Sequence, residues 1–244
     1  MRPPKFLNLW KSLLDTRNGA LPSLDMASLT GCSDDTLLAV AEISALAQWK
    51  ATQLRNNALS YVELVGRGLK IQESITKAKS RDGDKDFGTV EGLREGESPS
   101  EVHRSAAIGI FRESALLYLH TILSNSTPGT SFPSSANRKS LTGDPGVSEI
   151  SSAVDEIVRR LNKVQPSNLD RALVFPICLA GCMTNDSTKR DYLKSRLQGL
   201  NESYGNLLQT RLLMEALWQK RDVSGEAVDV REIIREQRLM VLLL

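Results

Sequence analysis

Three cysteines in 244 residues, Cys32, Cys178 and Cys182, are too few for a disulfide framework, and each sits among apolar or small neighbours. They are expected to be free thiols. Histidine is scarcer still, with only His103 and His120. Structural zinc takes four ligands, so Cys178 and Cys182, four residues apart, fall short of a set; no metal and no cofactor are expected. Charge of one sign is also missing. Thirty-one Lys and Arg against 29 Asp and Glu leave a formal net charge of +2, which provides no basic field for collecting a polyanion. The chain by itself is therefore not expected to contact DNA. The opening MRPPKFLNLWKSLLDTRNG lacks a continuous apolar core and a small-residue cleavage site, so a cytosolic or nuclear setting is expected. The longest all-round apolar helix, read over Leu169 to Met183, falls short of the roughly 20 residues that span a bilayer, and no membrane contact is expected.

Catalytic patterns are absent as well. No Gly-rich phosphate loop occurs, and no Ser, Cys or His group has the spacing of a nucleophile with its base. GCSDD and LAGCM are not nucleophile elbows. A helical enzyme of terpenoid type would need acidic clusters for Mg²⁺, but Asp34 and Asp35, like Asn185 and Asp186, are helix-start positions without a second acidic group on the same face. The chain is not expected to be an enzyme.

What the sequence does hold is helical periodicity. Asp34 and Asp35 precede a helix over Leu37 to Leu54 with a stripe of Ala39, Val40, Ile43, Leu46 and Ala47, while Trp49 lies on a second face with Leu38 and Ala45. The pattern continues through Tyr61, Leu64, Val65, Leu69 and Ile75, interrupted by Gly66 and Gly68. Further helices are read over His103 to Leu123, over Ser148 to Val164 with Ile150, Val154, Ile157, Val158 and Leu161 on one side, over Leu169 to Met183 with a capping box of Ser167 and Asp170 at its start, and over Ser203 to Arg221. A terminal one begins with the capping box of Asp229 and Glu232 and ends in the apolar run Met240 to Leu244. Pro176 should bend the core helix or make it begin again, and Gly181 should admit a neighbour closely. No βαβ alternation, hairpin turn or strand run is seen. The expected class is all-α, an irregular multi-helix domain of about seven to nine mostly antiparallel helices. Residues 1–30 form an N-terminal extension with an apolar cluster of Phe6, Leu9, Trp10, Leu13 and Leu14; residues 31–244 form the domain. Two stretches poor in apolar residues, 79–100 and 126–146, are read as mobile loops.

LDRALVFPICLAGCMTND, GNLLQTRLLMEALWQKRD and VDVREIIREQRLMVLLL resemble the C-terminal regulatory domain of fungal zinc-cluster transcription factors, the fungal-specific transcription factor domain of the second type. DDTLLAVAEISALAQWK and FRESALLYLHTIL look like its earlier helices, in the expected order. The sequence departs from the pattern at Val230, where an aromatic is usual, and at Arg238, near a usual Gly. The resemblance implies a nuclear protein that controls transcription through other transcription proteins or a small effector, with a homodimer among the expected assemblies. The family's DNA-binding module carries six cysteines that this sequence lacks, which leaves a second reading: a helical interaction scaffold that has lost that module.

One pair of residues stands out within the last long helix. Laid out at 100° per residue, Tyr204, Leu207, Leu208, Leu212, Met214 and Trp218 are expected on one arc and Leu213 and Leu217 opposite. Arg211 and Glu215, spaced i,i+4 in this apolar setting, are the candidate site residues, either as a buried ion pair or as the lining of an effector pocket.

Overall fold

The computed structural model describes residues 31–81, 99–124, 145–164, 168–199, 205–225, 228 and 230–238. Eight α-helices are seen among them: α1 (Asp34–Arg55), α2 (Tyr61–Arg81), α3 (Pro99–Leu123), α4 (Pro145–Lys163), α5 (Val174–Met183), α6 (Ser187–Gln198), α7 (Asn206–Ser224) and α8 (Val230–Glu236), with a 3₁₀ turn at Asn168–Arg171. The described residues contain no strand, so the fold is all-α as the periodicity predicts. The residues grouped from sequence into one domain fall into two compact units, Met1–Leu123 and Ser124–Leu244, each taken by itself below.

In the first unit, Ser33 caps α1 by accepting from the Thr36 amide at 3.4 Å, and Asp34 and Asp35 place negative charge in the first turn, where the helix dipole favours it. The whole expected stripe of Ala39, Val40, Ile43, Leu46 and Ala47 is buried. Trp49 is covered on its second face by the Arg67 guanidinium of α2, 4.4 Å from the ring centre. Gly66 and Gly68 do not interrupt α2. At Gly68 a Cβ would meet Leu123 Cδ2 at 2.6 Å, so the glycine is what lets α2 lie close to the end of α3. Leu64, Ile71 and Ile75 form the buried side of α2, whereas Val65 and Leu69, grouped with them from sequence, are half exposed. The reason is rotational: one residue past Leu64 turns the side chain by 100°.

Helix α3 buries Ala107, Ile110, Phe111, Ala115, Leu117 and Leu119. By length and composition alone, His103–Leu123 is apolar enough to cross a membrane. Here it is the core helix of the unit, packed on α1 and α2. Lys50 of α1 reaches its last turn, where Nζ donates to the Ile122 carbonyl at 2.6 Å; burial lowers the Lys50 pKa.

The second unit is built on α5, which touches α4, α6 and α7. The single helix expected over Leu169 to Met183 is two elements: the 3₁₀ turn ends at Arg171 and α5 begins at Val174. Pro176 is thus the third residue of α5. Its missing N–H falls among the first four, which have no intrahelical acceptor, so the proline starts this helix rather than breaking it. Gly181 gives the expected close approach, because a Cβ there would run into the Met214 side chain of α7. Asp186 caps α6 by accepting from the amides of Thr188 at 2.9 Å and Lys189 at 3.2 Å. Gly225, at φ 66°, closes α7 in the left-handed conformation.

Arg238, two residues beyond α8, has φ 51°. This is where the resemblance expects a glycine, and the strained arginine shows why. Arg238→Gly is expected to leave stability unchanged or raise it by up to about 1 kcal/mol, read as a denaturation midpoint that does not fall.

The expected loops lose their ends to α2, α3 and α4, and their remainders lie outside the described residues. So do the extension 1–30, the caps proposed at Ser167 and Asp229, and the apolar terminus Met240 to Leu244.

Candidate functional site

The two residues singled out from sequence are not joined in an ion pair among the described residues. Glu215 reaches sideways to α6, where Lys194 Nζ lies 2.8 Å from its carboxylate with both side chains about one-third exposed. Arg211 is half buried beside it. The arc drawn from sequence explains the difference. Stepping 100° per residue from Leu207 gathers Leu207, Thr210, Leu213, Met214, Leu217, Trp218 and Arg221 into one arc of about 140°. All seven are buried, and Leu212 is on the exposed side. Arg211 and Glu215 therefore flank the buried arc rather than lie inside it. At this exposure the Lys194–Glu215 pair is expected to matter little: Glu215→Gln should change stability by no more than about 1 kcal/mol in a denaturant titration.

Charge is buried elsewhere, at helix C-termini. The last turn of an α-helix leaves carbonyls without intrahelical donors and carries partial negative charge. At the end of α5 those carbonyls face α6 and α7. Trp218 Nε1 donates to the Gly181 carbonyl at 2.9 Å, and Arg221 donates to the carbonyls of Cys182 at 2.8 Å and Thr184 at 3.3 Å. Arg190 of α6 also donates to the Thr184 carbonyl, at 3.3 Å. Asn185 Oδ1 accepts from Arg221 at 2.8 Å and from Arg190 at 3.4 Å. The second cation is balanced by Asp222, whose two oxygens lie 3.0 and 2.7 Å from Arg190 Nη1, and Arg190 stands over the Trp218 ring at 5.6 Å. Desolvation lowers the Arg221 pKa, and the neighbouring Arg190 charge adds to it, but an arginine so placed stays protonated.

A second assembly joins α4, the 3₁₀ turn and α6. Arg196 and Asp170 are 3% and 1% exposed, the buried ion pair that the sequence reading sought at Arg211 and Glu215. Arg196 Nε donates to Asp170 Oδ2 at 3.0 Å and Nη2 donates to Oδ1. Nη1 donates to the carbonyls of Leu161 at 2.9 Å and Val164 at 2.7 Å, and Tyr192 Oη accepts at 3.3 Å. The sequence spacing predicts a capping box of Asp170 with Ser167. Its carboxylate instead turns inward.

All three cysteines are free and buried. Burial, with the Asp34 charge behind it, pushes the Cys32 thiol from about 9 up to about 12. Cys178 is also raised, first by its hydrogen bond with Cys182 and then by burial. Below pH 9 such thiols are protonated in both folded and unfolded chains. As pH rises from 9 toward 12 the unfolded chain releases its protons first, so stability should fall across that window. A urea midpoint that is the same at pH 8 and pH 10 would contradict this. At pH 8 a thiol reagent should label the native protein slowly and the unfolded chain at all three sites. Among the described residues no group of three His, Cys, Asp or Glu could hold a metal ion.

Comparison with known proteins places these elements. Residues 2–244 match the family described as the fungal specific transcription factor domain. The chain is similar to the trichothecene biosynthesis transcription regulator TRI10 of Trichoderma arundinaceum, at 27% identity over 215 residues that make up 88% of this chain and 41% of that protein. It is also similar to the transcription factor dibT of Pestalotiopsis microspora, at 24% identity over 236 residues, 90% of this chain and 34% of that protein. The chain thus spans less than half the length of either relative. No solved structure matches it. The match reaches further toward the N-terminus than the residues 31–244 read from sequence. With nearly the whole chain inside the matched region, this chain belongs to the fungal specific transcription factor domain family.

Proposed function

We propose that this helical chain is the regulatory part of a fungal transcription factor. It works in the nucleus, acts on other transcription proteins or a small effector rather than as an enzyme, and leaves direct DNA contact to other residues. The observation that carries this reading is the match over residues 2–244 to a transcription factor domain, with relatives that are themselves transcription regulators. The balanced charge supports the last point, since duplex binding rests on many phosphate contacts from a basic face. In a mobility-shift assay the chain alone is expected to show no salt-resistant, sequence-selective binding.

The test joins the chain to an unrelated DNA-binding domain and reads a reporter gene. A change in reporter output relative to the DNA-binding domain alone is expected; a silent fusion favours the scaffold reading. Arg211 and Glu215, half buried and apart from the Trp218, Arg221 and Arg190 cluster at the end of α5, are the residues proposed to line an effector pocket. Arg211→Met with Glu215→Leu should leave the melting temperature within a few degrees of the parent and abolish the response. A full response from a folded double variant would remove the pair from the site.

A further inference from the structure

Helix α2 carries an apolar stripe that no described residue covers. Tyr61, Val62, Val65 and Leu69 are 50%, 86%, 44% and 56% exposed, and at 100° per residue they share an arc of about 100°. That arc is separate from the Leu64, Ile71 and Ile75 side turned into the unit. A helix facing only water carries polar residues on its outer side, and the rest of the α2 surface obeys this, with Glu63 paired to Arg67 and Glu73 to Lys77. Gly66, next to the stripe, has nothing within 4 Å of where its Cβ would be, which leaves the backbone open to close approach. From Tyr61 to Leu69 the stripe runs about 12 Å, a little over two turns.

The geometry points to residues 6–14 of the same chain as its occupant. Phe6, Leu9, Trp10, Leu13 and Leu14 follow the spacing i, i+3, i+4, i+7 and i+8, a sequence pattern that about two turns of helix would gather on one side. The stripe, with its apolar residues at i, i+1, i+4 and i+8, covers the same i to i+8 span of sequence. Reach is ample. The stripe lies in the first half of α2, and α1 is about 33 Å long, whereas residues 15–33 extend to about 60 Å. The family match begins at residue 2, so the segment belongs to the matched domain and is not an unrelated leader to it.

The experiment uses the full chain in three versions. One replaces Val62, Val65 and Leu69 with serine, one replaces Phe6, Trp10 and Leu13 with serine, and one combines both sets. Val62, Val65 and Leu69 lie outside the buried core described above, so the α2 variant should fold. If the segment covers the stripe, each set removes the same contact. Each should then lower the melting temperature by about 2–8 °C, and the combined version should melt no lower than the worse of the two. Amides of Tyr61 to Leu69 should also exchange faster in the Phe6, Trp10 and Leu13 version. Shifts that add in the combined version, or no shift from either set, overturn the assignment. So does a native dimer that becomes a monomer when the α2 set alone is replaced, because the stripe is then a seam between two copies.

Discussion

Arg196→Met is expected to cost about 3–5 kcal/mol of unfolding free energy, measured by urea titration of the second unit's fluorescence. The cost arises from what the substitution leaves behind. Asp170, 1% exposed, loses a two-pronged partner, and the carbonyls of Leu161 and Val164 lose the donor that closes the end of α4. Asp170→Leu should be comparably damaging, because it strands the guanidinium. Replacing both, with Asp170→Leu and Arg196→Met, removes the two charges together and is expected to be markedly milder than either single change. It will not be neutral, since the Val164 carbonyl loses the arginine donor and the Leu161 carbonyl keeps only the Val164 amide, at 3.1 Å. A double variant as unstable as the worse single one would show that the carbonyl contacts, and not the ion pair, carry the effect.

The second large effect is expected at Trp218. Trp218→Ala empties a buried site between α5 and α7 and should cost about 3–5 kcal/mol. Trp218→Phe keeps most of the apolar body but removes the Nε1 donor from the Gly181 carbonyl, and should cost about 1–3 kcal/mol. The gap between the two separates packing from hydrogen bonding. Equal losses from both would mean that the indole N–H dominates, and a harmless Phe variant would mean that the Gly181 carbonyl finds another donor.

Stripes of apolar residues were readable in advance because helical periodicity is a local property. Ala39, Val40, Ile43, Leu46 and Ala47 in α1 and Ile150, Val154, Ile157 and Leu161 in α4 are buried on the side their spacing predicts, with Val158 half buried beside them. In α7 the reading failed by mixing residues 100° or more apart, which set Leu212 inside and made Arg211 and Glu215 look enclosed. Arg190, Arg196 and Arg221 escaped notice for a different reason. An arginine on a helix reads as a solvated residue unless its acceptor is visible, and here the acceptors are main-chain oxygens of other helices, 6 to 39 residues away. No side-chain pattern encodes them. Asp170 was visible as an acid near a helix start, and a local capping role explained it until the chain restarted at Val174 and left the carboxylate facing Arg196.

Lys50, Arg190, Arg196 and Arg221 close helix ends with bonds to main-chain oxygens of Ile122, Thr184, Leu161, Val164 and Cys182. A main-chain oxygen is supplied by whatever residue occupies the position, so these contacts impose a one-sided constraint on sequence drift. The accepting positions can change their side chains within the limits of packing while the bond survives. The donors have no such freedom, and a lost arginine cannot be restored by any change of residue at its acceptor. Correlated substitution between donor and acceptor positions should therefore be absent here, even though the two are in direct contact. In a saturation-mutagenesis map this would appear as four basic positions intolerant of change facing carbonyl positions that accept many residues of similar size.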